Sequence, residues 1–237
     1  MATDVAQNLA AIRQRIADAC ARARRETSSV TLVAVSKGQP PEAIRAAVEA
    51  SHLVFGENRV QEAKAKISQC PGSLRWHMIG HLQSNKARDA VQLFDMIESI
   101  DSLSLAVEVS KWADKSTKTI PILLEVNIAG ESSKFGYKPD ALLSEILQIN
   151  ALPKIEIHGL MTIGPWTADS EKARPVFRQL CELKEQCEQK LGAPLPHLSM
   201  GMSGDFEVAI EEGATIVRIG TALFGPRPKL ARESDGP

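Results

Sequence analysis

One lysine in this chain stands where its charge requires an explanation. Thr31 to Lys37 read Thr-Leu-Val-Ala-Val-Ser-Lys, an uncharged run that meets a lysine and is then broken by Gly38, Pro40 and Pro41. Such a run predicts a short buried strand. Side chains alternate along a strand, so Lys37 shares a face with Val33 and Val35. On an interior face the ammonium loses hydration and its pKa falls, leaving a neutral amine able to attack a carbonyl. A lysine reaching from a strand end into water is the commoner arrangement, and this stretch alone does not decide between the two.

A second cation poses the same question. In Ile216-Val-Arg-Ile-Gly220, Arg218 lies among apolar neighbours, and a guanidinium cannot shed its proton to suit a dry site. It needs an acceptor, for which Glu57 and Glu125 are the carboxylate candidates by residue type. Two glycine-containing turns, Ser199-Met-Gly-Met-Ser-Gly204 and Gly220-Thr221, would let backbone N–H groups approach an anion, with the positive end of a helix and the hydroxyls of Ser203 and Thr221 in support. Ordinary turn chemistry explains either one alone. His77 and His81 have His-x3-His spacing but fall on a strand and its end, so they do not face one metal and no metal site is expected. His52, His158 and His197 read as packing or hydrogen-bonding residues at strand edges.

These groups need elements that gather them. Residues 4–25 begin with Asp4 and Gln7 at capping-box spacing and put Val5, Leu9, Ile12, Ile16, Ala19 and Ala23 on one face of a helix. Arg13, Arg15, Arg22, Arg24 and Arg25 then read as its solvated outer face. After the first strand a helix runs from Pro40 to about Ala50, followed by a strand from His52 to Gly56. Asn58 and Gln61 repeat the capping-box spacing for a helix over 59–69. Strands follow over 74–79, 96–100, 121–128, 155–163, 196–200 and 215–220, separated by helices over 84–90, 101–115, 140–149, 169–191 and 205–212. Pro175 predicts a kink or a later start for the long helix, and the polar tail from Arg227 reads as frayed.

Eight strands alternating with helices, with no composition break, predict an α/β fold: a single-domain (β/α)8 TIM-like barrel with an extra N-terminal helix, spanning 1–237 with its core over about 6–226. A doubly wound open sheet is the rival, but Ser36-Lys37-Gly38-Gln39 is not its glycine-rich nucleotide turn. In a barrel the C-terminal strand ends line the functional face, carrying here Lys37, Asn58, His81, Asp101, Asn127, Thr162, Ser203 and Thr221. Closure makes the eighth strand a neighbour of the first, so Lys37 and Arg218 would share one mouth, near the loops where barrels commonly bind phosphate.

Composition excludes some partners. The chain has 28 Lys plus Arg against 29 Asp plus Glu, so no bulk field suggests nucleic acid or an anionic membrane. Cys20, Cys70, Cys181 and Cys187 form no Cys-x-x-Cys pair and read as free thiols in a reducing cytoplasm. No leader or membrane-length apolar run is evident, so a cytoplasmic protein is expected. Nothing marks an exposed apolar seam, so a monomer is expected.

Leu32-Val-Ala-Val-Ser-Lys37, Phe55-Gly-Glu-Asn58 with Val60-Gln-Glu62, Trp76-His-Met-Ile-Gly-His-Leu-Gln-Ser-Asn-Lys86, Ser132-Ser-Lys-Phe-Gly136, His158-Gly-Leu-Met-Thr162, Leu198-Ser-Met-Gly-Met-Ser203 and Val217-Arg-Ile-Gly-Thr221 together resemble the pyridoxal-phosphate homeostasis family of YggS/PROSC type. The resemblance runs in order from about residue 6 to 226. It implies a barrel like the N-terminal domain of alanine racemase, with pyridoxal 5′-phosphate as a Schiff base on Lys37. It further implies phosphate binding near Ser203, Gly204, Gly220 and Thr221, Arg218 against the pyridine nitrogen, and Asn58 near the ring. Ile128-Ala129, where a more polar pair is expected, and Pro175 depart from the family pattern away from this pocket.

An arginine at the ring nitrogen favours the unprotonated ring and weakens the electron sink that carbanion chemistry needs. The only tyrosine, Tyr137, lies in the loop after strand five, and no chain is left for a second domain. The expectation is therefore a protein that buffers or delivers the cofactor, with PLP-dependent apo-enzymes as partners and little amino-acid turnover. The alternatives are a racemase or decarboxylase acting at Lys37 with His81 or Tyr137 as partner base, and a cofactor-free Schiff-base aldolase.

Overall fold

The structure is a computed structural model and describes residues 4–131 and 133–226. Eight strands form a closed barrel in sequence order: β1 (Thr31–Val35), β2 (Val54–Glu57), β3 (Arg75–Met78), β4 (Met96–Ile100), β5 (Ile120–Glu125), β6 (Ile155–Met161), β7 (His197–Ser199) and β8 (Ile216–Ile219). Every neighbouring pair is parallel, including the closing pair, in which Val33 is the register partner of Arg218. The predicted barrel is therefore the observed one. Parallel strands require crossovers, and helices α2 (Pro41–Glu49), α3 (Val60–Ile67), α4 (Ala87–Leu93), α5 (Leu103–Lys115), α6 (Pro139–Asn150), α7 (Arg174–Leu191) and α8 (Phe206–Glu211) supply them.

Period-two alternation divides each strand between two compartments. Val33, Met96, Leu123, Met161 and Ile216 pack inside the barrel, whereas Leu32, Ala34, Ile97, Ile122 and Val217 join the larger layer under the helices. The β6–β7 seam closes only over glycine, because a Cβ at Gly159 would lie 1.9 Å from the carbonyl oxygen of His197.

The N-terminal helix α1 (Val5–Arg22) starts as expected, with Asp4 Oδ1 accepting from the Gln7 N–H at 2.9 Å. Its arginines, however, do not form a merely solvated face. Arg15 and Arg22 pair with Glu207 and Glu211 of α8 at 2.8 Å, and Arg25 donates to the Ile210 carbonyl at 2.8 Å. Arg13 donates to the carbonyl of Ala50 at 3.1 Å. They fasten α1 across the outside of the barrel.

Other boundaries shift. β5 and β6 end at Glu125 and Met161, short of the predicted 128 and 163, where the chain leaves the ladder to build the mouth. Pro175 lies in the first turn of α7, after a short 3₁₀ turn over Ser170–Ala173, so the late start is the observed outcome rather than a kink. A short helix not anticipated in the sequence, α9 (Thr221–Phe224), follows β8. The expected frayed tail from Arg227 lies outside the described residues. Among the described residues, no helix is long and apolar enough to cross a membrane.

Candidate functional site

Lys37 leaves the top of β1 on the inner face of the barrel, continuing the Val33 and Val35 series, and is half-buried. The turn that carries it is closed by the Gln39 N–H donating to the Ser36 carbonyl at 3.0 Å, with Gly38 in the left-handed region at φ +70°. All seven residues singled out from the sequence (Lys37, Asn58, Ser203, Gly204, Arg218, Gly220 and Thr221) line one open cavity of about 290 Å³ at the C-terminal end of the barrel. Val35, Ile79, Ile163 and Met202 supply apolar wall, Asp205 lines it too, and Trp166 stands on its rim. Trp166 is fully exposed.

Asn58 is not the cap its spacing suggested. The N-cap of α3 is Arg59, without a side-chain cap bond, because the helix begins one residue later than the motif implies. Asn58 lines the cavity, and its Oδ1 is buried and has no hydrogen-bond partner among the described residues, an expensive condition for a polar atom. Gly80 allows this placement, since a Cβ there would lie 2.5 Å from the Asn58 carbonyl oxygen.

Arg218 has an acceptor system, but not the one anticipated. Nη1 donates to Ser199 Oγ at 2.5 Å and Nη2 to the Thr162 carbonyl at 2.8 Å. Neither Glu57 nor Glu125 bonds it. Glu57 points away from the barrel interior to Lys66, at 2.8 Å. The counter-charge is Glu98, reached through Ser199, which donates to Glu98 Oε2 at 2.5 Å while His77 Nδ1 contacts Oε1 at 2.6 Å. Burial opposes the charge on Glu98, yet the bond and charge of His77 with the charge of Arg218 hold the carboxyl below its usual range. Burial in turn draws the guanidinium down, while Glu98, Glu125 and Asp205 oppose it. Burial, reinforced by Asp101, pushes Glu125 up to about 7 against the pull of Arg218.

The two glycine turns meet beside the end of β1, where a Cβ at Gly220 would lie 3.3 Å from Val35 Cβ. The Ala222 N–H donates to Ser203 Oγ at 3.3 Å, joining the loop after β7 to the start of α9. A Cβ at Gly204 would meet nothing within 4 Å, so that turn faces open space.

The partner-base candidates lie elsewhere. Tyr137 is buried in the outer layer, where burial pushes its hydroxyl above the usual range. His81 bonds Asp101 at 3.0 Å, stacks on Phe135 at 3.6 Å between ring centroids, and lines a neighbouring cavity with Arg59 and Lys86. His77 and His81 thus turn to different carboxylates, and among the described residues no cluster of three His, Cys, Asp or Glu could hold a metal ion. Ser199 reads only as the head of a glycine turn, and Glu98 went unmarked in the sequence, although it shows the same signal as Arg218, a charge inside an apolar strand run. Trp166 and Asp205 lie on loops and gave no such signal.

A closed parallel barrel with a lysine from its first strand and an arginine from its last opening on one cavity has a known class. The sequence matches the family model for the alanine racemase N-terminal domain over residues 7–228. Within that class, the chain belongs to the pyridoxal phosphate homeostasis protein family. It is 45% identical over 222 residues to the pyridoxal phosphate homeostasis protein of Aquifex aeolicus, covering 93% of this chain and 97% of the relative. The Bos taurus protein of the same name is 40% identical, over 97% of this chain and 89% of its own. PipY of Synechococcus elongatus PCC7942, solved with PLP bound, aligns with a TM-score of 0.83 at 39% identity, over 93% of this chain and 100% of PipY.

Proposed function

We propose that this protein binds pyridoxal 5′-phosphate and buffers or delivers it to apo-enzymes that use it, with little or no amino-acid turnover of its own. The observation that carries the reading is the meeting of Lys37, Arg218 and the two glycine turns in one cavity. The residues present fit the group. Gly204 faces open space, Asn58 Oδ1 has no partner among the described residues, and Arg218 has five N–H donors of which bonds among the described residues use two.

In this reading Ser203, Gly204, Gly220 and Thr221 hold the phosphate, Arg218 faces the ring nitrogen and Asn58 lies beside the ring. The Lys37 amine attacks the aldehyde carbon, a C=N bond forms, and the oxygen departs as water, leaving a Schiff base. When bound, the cofactor supplies an electron sink. Arg218, fixed by Ser199 and Thr162, keeps a proton donor rather than an acceptor at the ring nitrogen, which weakens that sink. Of the titratable groups lining the cavity besides Lys37 and Arg218, Asp205 accepts from the Met202 N–H at 2.6 Å. His81 and Tyr137 do not line it. Binding and release are thus better supported than catalysis.

The test is borohydride reduction of protein incubated with PLP, followed by peptide mass mapping, with Lys37→Ala as control and a panel of amino acids as substrates. A visible absorption band, an adduct on Lys37 and no turnover are expected. An adduct on Lys86 or Lys134 would overturn the site assignment, and robust turnover would favour a racemase or decarboxylase. A preparation that forms no such band would leave the cofactor-free aldolase.

A further inference from the structure

Behind the wall that carries Lys37 lies an ionic cluster, buried at Lys66 and Glu57 and half-buried at Glu62, that the cavity does not use. Lys66, on α3, is 7% exposed and Glu57, at the end of β2, is 0% exposed. An ammonium has three protons, and Lys66 Nζ places all three: on the Ser36 carbonyl at 2.6 Å, Glu62 Oε1 at 2.7 Å and Glu57 Oε1 at 2.8 Å. Glu62 Oε1 also accepts the Gly38 N–H at 2.5 Å, and Glu57 Oε1 the Ser36 hydroxyl at 2.7 Å. Ser36 and Gly38 are the residues on either side of Lys37. The Ser36 carbonyl belongs to the peptide plane preceding the Lys37 Cα, and the Gly38 N–H to the plane following it. Lys66 holds the first plane and Glu62 the second.

We infer that Lys66 and Glu62 are positioning residues for Lys37, clamping both peptide planes that meet at its Cα so that the amine is presented to the cavity in one direction. The inference rests on the cofactor reading above and names what orients the bond-forming residue. Glu62 and Lys66 stand four apart on one helix face, so each restrains the other's rotamer. Burial excludes the water that would otherwise compete for the Ser36 carbonyl. The β2–α3 segment that supplies Glu57 also supplies Asn58, so one cluster ties together the two turns that bring Lys37 and Asn58 to the mouth. A misplacement of about 1 Å in a reacting group costs on the order of 100-fold in rate, which gives such a clamp its value.

The experiment follows growth of the visible band after mixing with PLP, with borohydride trapping to confirm the link at Lys37, for wild type, Glu62→Ala, Glu62→Gln, Lys66→Met and the double variant Glu57→Gln/Lys66→Met. The double variant avoids leaving Glu57 as a buried uncompensated charge. Expected is bond formation slower by about 10-fold or more in Glu62→Ala and in both Lys66 variants, with near wild-type rate in Glu62→Gln, which keeps an acceptor for Gly38. Inhibition by inorganic phosphate should be unchanged throughout, because Ser203, Gly204, Gly220 and Thr221 take no part in the clamp's hydrogen bonds. Ile146→Val, in the core of α6, serves as the stability control and should bind at the wild-type rate. Equal rates across the series, or the same slowing in Ile146→Val, would overturn the clamp while leaving the cofactor reading standing. A wild-type protein that forms no link at Lys37 would overturn both.

Discussion

Arg218 and Glu98 face each other across a single hydroxyl: Ser199 Oγ accepts from the guanidinium at 2.5 Å and donates to the carboxylate at 2.5 Å. The charges are opposite, buried and one atom apart, so the serine completes both. Removing that oxygen in Ser199→Ala leaves two buried charged groups each short of a partner, at a cost of about 1–3 kcal/mol. Glu98→Gln goes further, stranding the guanidinium without its counter-charge, and should cost about 3–5 kcal/mol. Denaturant unfolding at neutral pH measures both, and a Glu98→Gln variant as stable as wild type would refute the assignment of Glu98 as the counter-charge.

Glu125 predicts a pH dependence. Its folded-state pKa is raised to about 7, chiefly by burial, from an unfolded value of about 4.3. Between those values the folded carboxyl holds a proton that the unfolded one has released, so this group's contribution to stability is complete below the unfolded pKa. It is lost as pH climbs through about 7, by roughly 4 kcal/mol in all. Glu125→Gln, which is neutral at every pH, should flatten the stability profile over that window and exceed wild type above pH 8. Parallel profiles for the two proteins would contradict it.

Lys37→Ala tests the division of labour in the cavity. Arg218 and the two glycine turns are intact in this variant, so PLP should still bind reversibly, by equilibrium dialysis, at least about 10-fold more weakly and without the visible band. Borohydride should then fail to fix the cofactor to the protein. Complete loss of reversible binding would show that the phosphate turns contribute little.

How far this site was legible depends on what kind of signal each residue leaves. Lys37 and Arg218 were readable because a cation in an apolar strand run is conspicuous, and because closure of a parallel barrel makes the first and last strands neighbours. Glu98 offered the same signal and passed unnoticed, so Arg218 was matched to the wrong carboxylates. The capping reading of Asn58 failed, since a capping-box spacing does not say whether the helix begins at that residue or at the next. The arginines of α1 looked solvated because helical periodicity shows which face is polar but not what lies opposite it. Their partners Glu207 and Glu211 stand 192 and 189 positions away in the chain. Trp166 and Asp205 come from loops, where no periodicity fixes direction.

The placement of Asn58 depends on a glycine in the adjacent loop. A methyl group at position 80 would sit 2.5 Å from the Asn58 carbonyl oxygen and 2.7 Å from its Cα, backbone atoms that cannot rotate away as a side chain would. In Gly80→Ala the β2–α3 turn must therefore move, and Asn58 Oδ1 with it, while Arg218 and the phosphate turns keep their own supports. PLP affinity should fall, with the maximum of the visible band shifted because the environment of the ring has changed, and Lys37 should remain the residue trapped by borohydride. Asn58→Ala, which leaves the turn in place, separates the two contributions: if it weakens binding as much as Gly80→Ala does, the asparagine side chain accounts for the whole effect. Gly80→Ala with wild-type affinity and spectrum would mean that Asn58 does not face the ring.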